Sequence, residues 1–144
     1  MKVEYMKCKL VREKECNYEP VRSPSSAVDI LLDFGLDEAA EEYVYLLCLN
    51  SRGEITAVHE VAHGTLSDCS VSSRSVFTRA LLSSAASIII AHNHPSGDPA
   101  PSQSDIDVTK KLKKAGKLMD IPVIDHLIIA SDRSYYSFKA NEMI

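Results

Sequence analysis

The stretch SIIIAHNHPSGDPAPSQSD, residues 87–105, restricts the chain more tightly than any other. Its opening run, SIIIAH, is almost continuously apolar and short, as a buried strand is. His92 and His94 stand where that strand ends, a loop with three prolines follows, and Ser102-Gln103-Ser104-Asp105 then gives the S-x-x-D pattern of a helix start. Strand, loop and helix are thus dictated in order. On an extended backbone residues i and i+2 project to the same side, so the two imidazoles can converge on one point. Asp105, at the beginning of the helix, can face back toward them. Two histidines and one carboxylate give zinc three protein ligands and leave its fourth tetrahedral position for water, the arrangement of a catalytic rather than a structural site. Such a water ionises near neutral pH and can attack a carbonyl. A capping box alone would also account for Ser102 and Asp105, and the two roles are compatible.

The rest of the chain supplies a frame for that segment. VRSPSSAVDILLDFG predicts a short amphipathic helix with Ser25 and Ser26 as N-cap candidates and Gly35 as its stop, and LDEAAEE a second short helical stretch. Two runs rich in β-branched and aromatic residues flank Asn50 to Gly53, which is a hairpin signal. SSRSVFTRALLSSA has helical spacing, SQSDIDVTKKLKKAGKL predicts an amphipathic helix ending near Gly116, and PVIDHLIIAS and SYYSF predict two closing strands. The order helix, hairpin, helix, strand, helix, strands is that of a mixed α/β domain with a central sheet. Residues 1–20, charged and ending at Pro20, are expected to form an arm, and residues 21–144 the domain.

Composition narrows the function classes. A chain of 144 residues can bury a core without disulfides or a structural metal, so a metal here would serve chemistry. No apolar run approaches the ~20 residues of a membrane span, and MKVEYMKCKLVREKEC carries charges where a signal peptide would be apolar. A cytoplasmic protein without membrane association is expected. Cys8, Cys16, Cys48 and Cys69 have neither zinc-ribbon spacing nor the density of a disulfide scaffold and are expected to be reduced thiols. A net charge of -4 argues against a dedicated nucleic-acid binder. Lys110, Lys111, Lys113, Lys114 and Lys117 are expected to be a solvated face at the end of their helix. His59, His63 and His126 stand singly and are expected to be packed or surface side chains. The letters HNH do not make the nuclease unit of that name, whose residues are spread over a ββα metal motif.

His92-x-His94-x7-Ser102-x2-Asp105, with the wording AHNHPSGDPAPSQSD followed by DHLIIA, resembles the metal motif of the JAMM (MPN-plus) metallopeptidases and the RadC family in particular. The resemblance runs from about Val21 to Phe138. It implies a single JAMM/MPN-like, cytidine-deaminase-like domain, an α/β fold with a mixed sheet flanked by helices. It also implies one zinc ion on His92, His94 and Asp105, and hydrolysis of a peptide or isopeptide bond in a protein or peptide substrate. Ser102 would steady the oxyanion. A glutamate on an earlier strand would be the general base, and Glu42 aligns with it, with Glu41 and Glu60 as the alternatives. RadC proteins of full length resemble a helix-hairpin-helix segment joined to the JAMM domain. No such glycine-containing hairpin pair precedes the first predicted strand, so direct DNA binding is not expected. Short chains of this kind resemble those of mobile elements, and the family is associated with DNA repair. The competing expectation is a non-catalytic binding module of the same fold.

Overall fold

The structure is a computed structural model that describes residues 1–5, 7, 11–64 and 71–144. Cys8 and Cys69 lie outside the described residues. The elements are α1 (Pro24–Asp33), β1 (Glu42–Leu49), β2 (Ile55–Gly64), α2 (Ser73–Leu82), β3 (Ser87–His94), α3 (Gln103–Leu118), β4 (Val123–Ala130) and β5 (Tyr135–Ser137). They form a mixed α/β fold, a five-stranded sheet in the order β2-β1-β3-β4-β5. β1 is antiparallel to both β2 and β3, and β4 is antiparallel to β5. β3 and β4 are parallel, so a crossover must join them, and α3 is that crossover.

Side-chain alternation divides the sheet into two cores. Val44, Leu46, Ile88 and Ile90 face α2 and α3, packing on Val76, Phe77 and Leu112. Leu47, Leu49, Ile89 and Leu127 face α1 and its Ala27, Ile30 and Leu31. Both faces being covered explains why β3 reads as a continuous apolar run. Tyr18 and Val21 pack against the α1 core, and the Val21 N–H bonds to the Gly53 carbonyl in the hairpin loop at 2.9 Å. Cys48 is buried and Cys16 exposed, both as free thiols, and burial pushes the Cys48 thiol up to about 11. Among the described residues no helix is long and apolar enough to cross a membrane.

Three boundaries differ from the sequence expectation. α1 is capped by Ser23 rather than by Ser25 or Ser26, because Pro24 takes the first helical position, where its missing N–H is no loss. Ser26 instead completes the capping box, its hydroxyl accepting from the Ser23 N–H at 3.1 Å. LDEAAEE forms turns and bends over residues 36–41, not a helix, and its Glu42 already belongs to β1. Its backbone is engaged elsewhere, since the Asn93 amide donates to the carbonyls of Ala39 and Glu41 at 3.4 and 2.9 Å. α3 runs through Gly116 to Leu118. Gly116 marks a close approach rather than the helix end, because a Cβ there would lie 2.5 Å from the Ile121 carbonyl oxygen.

Candidate metal centre

β3 carries His92 and His94 on the face covered by α3, and the loop from Pro95 to Pro101 returns the chain so that α3 begins beside them. Asp105 is the third residue of that helix. Its carboxylate closes a reciprocal capping box, Oδ2 accepting from the Ser102 N–H at 2.8 Å while Ser102 Oγ accepts from the Asp105 N–H at 3.1 Å. The same carboxylate faces both imidazoles, with Oδ1 3.2 Å from His92 Nε2 and Oδ2 3.4 Å from His94 Nε2. The two Nε2 atoms are 3.0 Å apart. The capping and convergent roles of Asp105 therefore coexist, and His92, His94 and Asp105 form a group that could hold a metal ion.

The group couples an ionised carboxylate to two imidazoles. Burial alone would raise the Asp105 carboxyl, but the imidazoles of His92 and His94 hold it far below the usual carboxylate range. The Asp105 hydrogen bond raises the His94 imidazole against the opposing effect of burial. His94 Nδ1 lies 2.9 Å from the Asp98 carbonyl oxygen, which can only accept, so that nitrogen carries the hydrogen and Nε2 of the neutral ring presents a lone pair. One proton can bridge a single pair of these atoms, whereas a metal ion satisfies all three together.

The group opens into a cavity of about 250 Å³. Glu42 and Ser102 line it beside the three convergent residues, against an apolar wall that includes Val44, Ile90 and Val108. Glu42, half-buried, is the first residue of β1, whose Val44 is paired with His92. Glu41 and Glu60 do not line this cavity. Glu41 is exposed, and Glu60 on β2 sits 3.4 Å from His63. All five lysines of α3 are exposed.

A family model described as the RadC-like JAB domain matches residues 21–143. The chain belongs to this family. Its similarity to curated RadC-family relatives extends over most of its length. The UPF0758 protein of Alkaliphilus metalliredigens (strain QYMF) is 40% identical over 128 residues, which is 89% of this chain and 54% of the relative. That of Clostridium perfringens (strain 13 / Type A) is 38% identical over 136 residues, 94% of this chain and 59% of the relative. That of Pelobacter propionicus is 41% identical over 122 residues, 85% and 52%. The chain spans about half the length of the curated relatives it matches.

Two features of this RadC-like JAB domain carry no signal in the local sequence. Asn93, between the histidines, points to the opposite face of β3 and is buried. Its Oδ1 accepts from the Tyr43 N–H at 2.7 Å and its Nδ2 donates to the Glu41 carbonyl at 2.9 Å, so it grips the backbone on both sides of Glu42. His126, expected to be a packed or surface histidine, is packed, but its Nε2 lies 2.8 Å from His92 Nδ1. Burial, then the neighbouring His92, pushes its pKa well down. The parallel register that sets His126 opposite Ile90 is what brings it there. His59 bonds to Ser83 Oγ at 2.6 Å and His63 stacks on Tyr43, both away from the cavity.

Proposed function

We propose that this domain is a zinc-dependent hydrolase of peptide or isopeptide bonds. The observation that carries the reading is the convergence of His92, His94 and Asp105 in one cavity with Glu42 and Ser102. Donors at about 2.0 to 2.2 Å from a tetrahedral ion lie about 3.3 to 3.6 Å from one another. The separations of 3.0, 3.2 and 3.4 Å in this group lie within or a few tenths of an ångström below that range, so the donors need only spread slightly to hold the ion. Imidazole nitrogen and carboxylate oxygen are also donors that zinc accepts. Bound there, zinc supplies Lewis acidity, which lowers the pKa of water toward neutrality and polarises a carbonyl.

The chain's own residues supply the rest. The Glu42 carboxylate takes a proton from the attacking water and returns it to the leaving nitrogen, so the C–N bond breaks with release of a neutral amine. The Ser102 hydroxyl, which accepts from the Asp105 N–H, keeps its own hydrogen to donate to the oxyanion of the tetrahedral species. A binding module without catalysis would have no use for a half-buried carboxylate facing the cation site. Zinc-loaded protein incubated with a pool of linear and isopeptide-linked peptides should yield cleaved products by mass spectrometry, and His94→Ala should not. Full zinc loading with no cleavage of any member would count against hydrolysis.

A further inference from the structure

We propose that Thr109 and His126 form a hydrogen-bond relay that fixes His92 as its Nδ1–H tautomer, which makes both of them positioning residues for the metal centre. The inference rests on the metal-binding reading of His92, His94 and Asp105. Its starting point is a backbone carbonyl, because a carbonyl can only accept. Thr109 Oγ1 lies 2.6 Å from the Asp105 carbonyl oxygen and therefore donates its only hydrogen there. The hydroxyl is left as an acceptor toward His126 Nδ1, 2.5 Å away, so His126 Nδ1 bears a hydrogen. His126 is buried, with its ring stacked on Phe138 at a centroid distance of 4.8 Å. Among the described residues no carboxylate lies within ion-pair distance of it, and burial disfavours an ionised imidazole in that position. The ring is neutral and its Nε2 is an acceptor. His92 Nδ1, 2.8 Å away, must then be the donor, and the lone pair of His92 falls on Nε2.

That nitrogen is the one turned toward His94 and Asp105. His94 receives the same tautomer from the Asp98 carbonyl of its own loop, whereas buried His92 takes its tautomer from β4 and α3 through His126 and Thr109. The relay starts and finishes on Asp105, whose main-chain carbonyl sets the direction of the hydrogen bonds and whose carboxylate is the third member of the group. Without the Thr109 hydroxyl, the His126 hydrogen gains by moving to Nε2. It would then donate to His92 Nδ1 and turn an N–H, in place of a lone pair, toward the metal position.

The experiment pairs two readouts on the full chain, with circular dichroism confirming that each variant is folded. Long-range proton–nitrogen correlation spectra of histidine-labelled, metal-free protein should show His92 as the Nδ1–H tautomer in the parent, and this should be lost in Thr109→Val. Zinc affinity, measured by competition with a chromophoric chelator, should fall about 10- to 100-fold in Thr109→Val and return to within a few-fold of the parent in Thr109→Ser. The relay is overturned if the parent shows His92 Nε2–H, if Thr109→Val changes neither tautomer nor affinity, or if Thr109→Ser restores neither. A parent that shows the Nδ1–H tautomer but does not bind zinc would refute the metal reading and leave the relay standing.

Discussion

Glu42 and Asp105 bring the same functional group to one cavity and are set apart by what surrounds them. Asp105 is locked into the capping box and turned toward two imidazoles, so its oxygens are committed. Glu42, at the start of β1, is positioned through its backbone, paired with Gly64 and flanked by the Asn93 bonds to Tyr43 and Glu41, so its carboxylate is not one of the three convergent donors. Glu42→Gln should therefore retain zinc while lowering hydrolysis about 10²- to 10⁴-fold, with Glu41→Gln and Glu60→Gln close to the parent. Full activity in Glu42→Gln, or a dead Glu60→Gln, would move the base elsewhere. At this scale the sequence was legible where spacing is local. His92 and His94 are two apart on a strand, and Ser102 and Asp105 are one turn of helix apart. Asn93, Thr109 and His126 were not legible, because the bonds that give them meaning span 50, 17 and 34 residues.

The elements show the same division. β3 and the β1–β2 hairpin follow from apolar runs and turn residues that speak for themselves, and α3 from its periodicity and its cap. LDEAAEE has helical composition but ends as turns because Asn93, far along the chain, takes its carbonyls. Gly116 has the composition of a stop signal but lies within α3, where the chain leaving the helix passes its α-carbon closely. That distinction can be measured. In an open helix Gly→Ala stabilises by about 1 kcal/mol. A methyl group at Gly116 instead meets a backbone carbonyl at 2.5 Å and the Phe77 ring at 3.3 Å. Overpacking of this kind typically costs about 1 to 3 kcal/mol, so Gly116→Ala should lower stability in urea unfolding. A variant as stable as the parent would mean that the α3–β4 junction yields without cost.

For the whole molecule, the metal group sits at the rim of a sheet whose two faces are already covered by separate apolar cores. Those cores hold the strand end and the helix start in place, so the fold should not depend on the ion, in contrast to zinc fingers, which unfold without it. Removal of metal by chelation should leave the far-ultraviolet circular dichroism spectrum largely intact, and global unfolding would make the ion structural. A central sheet in a mixed α/β domain was legible from the order of the elements, whereas the meeting of β1, β3, β4 and α3 at one cavity follows from strand order and register, which depend on pairings between distant segments. The claim on which the account turns is that His92, His94 and Asp105 jointly hold one zinc ion. Elemental analysis of the parent beside His94→Ala tests it most directly: about one zinc per chain in the parent and essentially none in the variant is the predicted result, and full zinc occupancy in His94→Ala would contradict it.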